Sequence, residues 1–449
     1  MEIETSTTPD SKFAKYRWIG YTFIIGLLFV VFEHQYTHLE RQVRFVDEDE
    51  IEEILSEAAE TGSRSRQLGV LGVGVLGIYA FSVSRRKLQL SNPFLLAALA
   101  YVGWATLSVT WSEEAGLTIK RLIVLYCLII GAAGLARALR PSQIALVTLI
   151  ICIAYILVGL AGEIALGGFR PWGAEYRFRG TVHPNVQAAY TAFCCLATYF
   201  LRKHYPAYSN LFNAIFVCAA AALFLTKSRM ALVAFIVALG LTILLQSSIR
   251  RMLLFATFGS VLAGFVLLVF GLGGARLMDK STDAALLGRT EQTGSFSGRT
   301  PLWEEIMEYV DKKPMTGYAY ASFWVPDRIE VIKKHQEWAI DSSHSIYFET
   351  LGDLGYVGLG ILLVGAFLAL AYSIILTRRY PDDGGYAFVT AILLYSLLHG
   401  LMESHYVKPF FVTFIAGCCL LSITLFRSDQ TADTSTSNYQ PQRLPQAAN

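Results

Sequence analysis

Residues 341–379 read DSSHSIYFETLGDLGYVGLGILLVGAFLALAYSIILTRR, a polar head followed by an apolar run that meets no charged side chain between Tyr356 and Arg378. A run of that length fits the roughly 20 mostly apolar residues that a helix needs to cross a bilayer. Arg378 and Arg379 close it as a cytoplasmic flank should. In the head, Ser342 or Ser343 is a candidate N-cap and Gly355 a helix stop, so a short helix is expected with His344 at its start and at the mouth of the membrane.

The rest of the 449-residue chain agrees with that frame. It is 54% hydrophobic and only 16% charged, with a mean hydropathy of +0.45. Such a composition excludes an ordinary soluble enzyme, and 28 Phe, 23 Tyr and 7 Trp exclude disorder. Seven cysteines in so long a chain do not make a disulfide scaffold. About twelve apolar stretches follow, near 18–32, 68–83, 93–111, 117–136, 143–166, 184–201, 209–225, 230–246, 252–273, 346–376, 386–400 and 408–426. The first should be retained rather than cleaved, because Glu33, His34 and Gln35 follow it in place of a small-residue cleavage site.

Lys+Arg at 37 against Asp+Glu at 35 give no reason to expect nucleic acid as a partner, but the placement of the charges is informative. Basic residues mark alternate connections: Lys12, Lys15 and Arg17; Arg85, Arg86 and Lys87; Arg137 and Arg140; Arg202 and Lys203; Arg250 and Arg251; Arg378 and Arg379. The positive-inside rule then puts both termini in the cytoplasm. The expected fold is an all-α polytopic membrane protein of about twelve transmembrane helices with one large extracytoplasmic loop. Its parts are an N-terminal arm at 1–67 with the first helix and an acidic outer segment, helices 2–9 at 68–273, the large loop at 274–345, helices 10–12 at 346–426, and a disordered cytoplasmic tail at 427–449. No function is assigned to the acidic run 47–60. The seven cysteines all fall in expected spans and read as packing residues, and His34 with His38 is too little for a metal site.

The large loop carries nine Lys or Arg and eleven Asp or Glu, a foldable balance. Thr300 before Pro301 marks a helix start that continues to a stop before Pro314, and Pro326 with Asp327 opens a second helix. The rings of Trp303, Tyr318, Tyr320, Phe323, Trp324 and Trp338 can stack on sugars, but the ordinary reading for most is interfacial anchoring and loop packing.

Several basic residues sit on the wrong side for the orientation rule. Arg170, Arg177 and Arg179 lie in the outer segment 167–183, Lys227 and Arg229 in the tight turn TKSRMA, and Arg299 just before the Thr300 helix. Contact with lipid head groups would explain any one of them. A shared anionic ligand better explains the set, and guanidinium forks match phosphate oxygens. Free N–H groups at a helix start also favour an anion, and the imidazole of His344 is of the type that takes up a proton near neutral pH. Secondary candidates are Glu163, His399 and Glu403 near the outer ends of spans, each able simply to pair with an arginine. His183, before Pro184 and Asn185, reads as a helix-start residue and wall of a shaped site.

Together these pieces resemble a family. His344–Ser345, nine residues, Gly355, two residues and Gly358 look like the signature closing the large periplasmic loop of O-antigen ligases. RGTVHPN, KSRMALVAF, GRTPLWEEI and KPMTGYAYASFW resemble segments of the wider O-antigen ligase and polymerase superfamily, particularly its exopolysaccharide polymerase branch. The resemblance covers about residues 90–425. It implies a C-type glycosyltransferase of the bacterial inner membrane, working at the periplasmic face on an undecaprenyl-diphosphate-linked glycan, with a glycan or lipid acceptor and no metal or other cofactor. The family histidine corresponds to His344, its loop arginines to Arg229 and Arg299, and less closely to Arg177 and Arg179. Other polysaccharide-assembly proteins and membrane lipids are the implied partners. Two competing readings are a transporter of lipid-linked sugars, for which twelve spans would suit, and a membrane scaffold. Against the transporter, a long loop interrupts only the second half and the polar candidates gather at one face.

Overall fold

The computed structural model describes residues 9–33, 64–84, 86–89, 91–173, 176–247, 250, 299–336, 340 and 342–426. The expected span 252–273, the acidic run, Trp338 and the C-terminal tail lie outside the described residues. Thirteen α-helices are described: α1 Pro9–Glu33, α2 Arg64–Val83, α3 Pro93–Leu107, α4 Ala115–Ala138, α5 Pro141–Ala165, α6 Pro184–His204, α7 Ser209–Leu225, α8 Arg229–Leu245, α9 Arg299–Lys312, α10 Pro326–Lys333, α11 Ile346–Arg379, α12 Gly384–His399 and α13 Phe411–Thr424. No strand occurs among the described residues. One isolated antiparallel bridge joins Leu88 to Phe426.

The helix starts follow from local chemistry. Proline opens α3, α5, α6 and α10, where its missing N–H costs nothing. Asn92 Oδ1 accepts from Phe94 N at 3.0 Å to cap α3, and Asp383 Oδ1 accepts from Gly385 N at 2.8 Å to cap α12. Basic residues end α4, α6 and α11, the favourable end of the helix dipole.

Six stretches are long and apolar enough to cross a membrane: Arg66–Val83, Pro93–Trp111, Ala115–Ala138, Pro141–Ala165, Pro206–Leu225 and Ile346–Arg379. Shorter apolar helices lie at Arg17–Phe29, Arg229–Leu245, Gly384–His399 and Phe411–Thr424. Eleven of the twelve sequence stretches thus coincide with helices, but helix formation alone does not establish each as a span. α6 differs most from expectation. It packs against α5, α7, α8 and α12 and is buried along nearly its whole length. Facing protein rather than lipid, it carries Gln187, Thr191 and Thr198 with no exposed surface. The threonine hydroxyls bond back to carbonyls three and four residues earlier, which satisfies them inside the bundle.

α2 and α4 meet backbone to backbone. A Cβ at Gly134 would stand 2.0 Å from Gly77 O, and one at Gly77 would stand 2.4 Å from Ile130 O. Small residues permit such close crossings in membranes. Gly134→Leu is therefore expected to force the pair apart and sharply reduce folded protein. Gel filtration of the solubilised variant should show aggregate in place of a monodisperse peak, and an unchanged peak would contradict the close crossing.

The N-terminal arm, which the family resemblance leaves without a counterpart, is tied into the core through Glu33. Its Oε2 accepts from the hydroxyls of Tyr155, at 2.6 Å, and Tyr190, while Oε1 accepts from Phe411 N. A carboxylate from α1 thus joins α5 and α6 and caps α13.

The segment 299–340 packs on its own small core. Leu302, Ile306 and Val310 form one face of α9 and meet Ile332, Ile340 and Leu351 together with Tyr318, Phe323 and Trp324. These three rings are therefore packing residues, and Tyr320 packs beside the cluster of Ala105, Leu122 and Leu354. Arg328 lies over the Tyr318 ring at 4.1 Å, and it and Lys313 bind Glu113 at 2.6 and 2.7 Å, strapping the segment to the turn before α4.

α11 breaks at Gly355, whose φ of 65° and ψ of −168° are open to glycine. The break docks the polar segment before it: Tyr356 N donates to Pro314 O at 2.8 Å and Tyr318 N to Gly352 O at 3.0 Å. A Cβ at Gly355 would lie 2.5 Å from Met315 C. The glycine spacing after His344 is thus a fit between the 314–318 turn and the α11 break.

Candidate functional site

His344 lies in a turn held from both sides. Ser343 N donates to Glu349 Oε1 at 2.8 Å, Trp324 Nε1 donates to Glu349 Oε2 at 2.7 Å, and Trp303 Nε1 donates to Ser343 O at 2.9 Å. The Trp303 ring stacks on Phe348 with centroids 4.7 Å apart. The cap of α11 is Ser345, not the expected Ser342 or Ser343, and His344 precedes it with φ of 53°. That left-handed conformation costs a non-glycine residue on the order of 1 kcal/mol or more and is imposed by the turn's several anchors. It shifts the cap by two or three residues and leaves the imidazole 23% exposed.

Glu403 gathers the groups around it. It is 5% exposed and lies in the connection between α12 and α13. Oε1 accepts from Asn185 Nδ2 at 2.6 Å and Arg299 Nη2 at 3.2 Å. Oε2 lies 3.5 Å from His405 Nε2 and 4.0 Å from His344 Nδ1. Arg299 Nη1 also donates to Met402 O, so its fork grips the connection at two points. On the far side of Asn185, Oδ1 accepts from Arg177 Nη2 at 3.0 Å, and Arg177 Nε donates to Thr226 O at 3.0 Å. Phe178 N donates to Leu225 O at 2.8 Å, which seats the turn carrying Lys227 and Arg229 on the same loop. Lys227 holds a φ of 51° in that turn, and Arg229 opens α8.

One contact chain therefore joins Arg177, Asn185, Glu403, Arg299 and His344, with the Lys227–Arg229 turn at its end. The starts of α6, α8, α9 and α11 all supply residues to it or border it. Helix N-termini present free N–H groups and positive dipole ends, so this corner favours anions. His183 caps α6, its Nδ1 accepting from Asn185 N at 3.3 Å, which is the helix-start role expected of it.

The electrostatics are uneven. Burial alone would raise the Glu403 carboxyl, but His405, His344 and the Arg299 charge together carry it well below the usual carboxylate range. Burial pushes the His405 imidazole down to about 3, against the attraction of Glu403. The corner thus favours an anionic Glu403, while burial works against a charge on His405.

The other candidates fall outside this chain. Glu163 binds its own loop: Oε2 accepts from Tyr176 OH at 2.6 Å, and Oε1 from Arg179 N and Gly180 N, both at 2.9 Å. It orders the loop bearing Arg177 and Arg179 from behind. His399 is fully buried at the end of α12, stacked on Tyr395, with its ring centroid 6.1 Å from that of His405. Asn185 and His405 were not singled out from sequence, although both flank residues that were, Asn185 within HPN and His405 two places after Glu403. Among the described residues no group of three or more His, Cys, Asp or Glu is placed to hold a metal ion.

An all-helical membrane chain with this site matches the O-antigen ligase family over residues 214–363, a stretch that includes Lys227, Arg229, Arg299 and His344. The chain is also 23% identical over 383 residues to the exopolysaccharide production protein ExoQ of Rhizobium meliloti (strain 1021), covering 79% of this chain and 84% of that one. The two matches support an O-antigen ligase and polymerase-like family, as the motifs implied. With the apolar helices, they support a multi-pass membrane protein of that likeness.

Proposed function

We propose that the protein is an inverting, metal-independent C-type glycosyltransferase that joins glycan units carried on undecaprenyl diphosphate, at the periplasmic face of the inner membrane. The observation that carries this reading is the contact chain through Glu403, which puts an imidazole beside arginines and helix starts. His344 takes the proton of an acceptor sugar hydroxyl, the oxygen attacks the anomeric carbon from the face opposite the diphosphate, and the lipid diphosphate departs with the bonding pair. Its charge is spread over phosphate oxygens, so Arg299, Arg229, Arg177 and Lys227 stabilise it without a general acid. Arg179 stands behind this set, on the loop that Glu163 orders.

In this reading about twelve spans frame the site, both termini are cytoplasmic, and the segment 274–345 forms the periplasmic cover. Polymerisation is preferred to ligation, because the GRTPLW and GYAYASFW segments resemble the polymerase branch and because the relative's name refers to exopolysaccharide production. The test is reconstitution in liposomes with a defined lipid-diphosphate oligosaccharide. A ladder of product lengths on the carrier is expected. A single transfer to an added acceptor would indicate a ligase, and transbilayer movement without any new glycosidic bond would favour the transporter.

A further inference from the structure

The Glu403 carboxylate divides its oxygens between two kinds of partner. Oε1 is held by Asn185 from α6 and Arg299 from α9, while Oε2 faces the two imidazoles, His405 Nε2 at 3.5 Å and His344 Nδ1 at 4.0 Å. Gripped on one side by a planar guanidinium fork, the carboxylate is a fixed acceptor on the other.

A neutral imidazole has one N–H to place. At His405 the buried Nδ1 has no partner. Putting the proton on Nε2 gives that N–H an anionic acceptor and leaves Nδ1 a bare lone pair. The opposite tautomer would bury an N–H without an acceptor and set a lone pair against a carboxylate, which is worse twice over. At His344 it is Nδ1 that faces Oε2, so an N–H placed there has the same anionic acceptor.

We propose that Glu403 is the positioning residue of His344, holding its N–H at Nδ1 so that Nε2 presents the lone pair to the acceptor hydroxyl, and stabilising the imidazolium that forms. This rests on the reading of His344 as the general base. The hydroxyl proton passes to Nε2, the oxygen's electron pair makes the new bond to the anomeric carbon, and the carbon–oxygen bond to phosphate breaks with its pair going to the diphosphate. His344 then returns its proton to water. The 4.0 Å separation is an ion-pair distance that shortens once the ring is charged, as catalytic contacts in ligand-free sites commonly do. The groups facing Glu403 are Arg299 from α9, Asn185 at the start of α6, His399 at the end of α12, and His344 and His405, with His183 and Lys408 beyond His405. Glu403 is the one carboxylate among them.

The experiment measures chain growth by the full-length protein in lipid across pH, comparing wild type, Glu403→Gln, Glu403→Asp and His344→Ala. Glu403→Gln is expected to lower kcat by about a hundredfold to ten-thousandfold while changing the donor KM little. Glu403→Asp should recover part of kcat. Wild-type kcat in Glu403→Gln, with His344→Ala inactive, would overturn the positioning role and leave the base intact. A raised donor KM with unchanged kcat in Glu403→Gln would reduce Glu403 to a structural part and also overturn it. Full activity in His344→Ala would overturn the base reading itself. Should Glu403→Gln fail to accumulate, Glu403→Asp decides: a raised KM with unchanged kcat is the adverse result.

Discussion

His344→Ala is expected to stop glycan transfer while the protein still accumulates, folded, in the membrane. The turn does not depend on the imidazole for its shape, since Ser343 and Ser345 are anchored by Glu349, Trp303 and each other. Alanine also avoids adding bulk at a position with φ of 53°. Removing a general base costs roughly a hundredfold to ten-thousandfold in rate. The fall should be in kcat, with lipid-diphosphate binding kept, because in this reading the arginines hold the donor. Polymer synthesis at the wild-type rate by His344→Ala would remove the histidine from the mechanism.

The second large effect is expected at Arg299. Replacement by alanine would mix two consequences, because it also strands the buried Glu403 carboxylate, and breaking a buried pair from one side costs about 3–5 kcal/mol. Arg299→Lys separates them. The ammonium keeps the charge beside Glu403 but cannot reach Met402 O and Glu403 Oε1 with one planar fork. If the fork also binds diphosphate, losing a charge-assisted hydrogen bond of about 1.5–3 kcal/mol should lower kcat/KM by roughly ten- to a hundredfold, mostly through donor KM. Thermal stability measured alongside should change less than in Arg299→Ala. Full activity in both Arg299→Lys and Arg229→Lys would refute a bidentate diphosphate clamp.

Much of the architecture was legible because it is local. Prolines at helix starts, apolar runs and basic flanks fix α3 to α8 within a few residues, and Pro301 and Pro326 mark α9 and α10 inside a polar segment. Gly355 was legible as a helix stop, although its docking against the 314–318 turn was not. The misplaced cap has a clear cause: Ser342, Ser343 and Ser345 are equally good caps by composition, and only the left-handed turn at His344 chooses among them. α6 shows a limit of hydropathy, since a helix wrapped by protein needs no lipid-facing apolar surface. The role of Glu403 was hidden for another reason. Its partners come from positions 185, 299, 344 and 405, and no local pattern reports that one carboxylate serves all four.

Glu33 has a consequence for assembly. In a chain made from its N-terminus, α1 is complete long before α13 exists, so its carboxylate can meet Tyr155 and Tyr190 before Phe411 has been made. The first and last of the described helices are closed by one shared acid, and that closure can form only once both are present together.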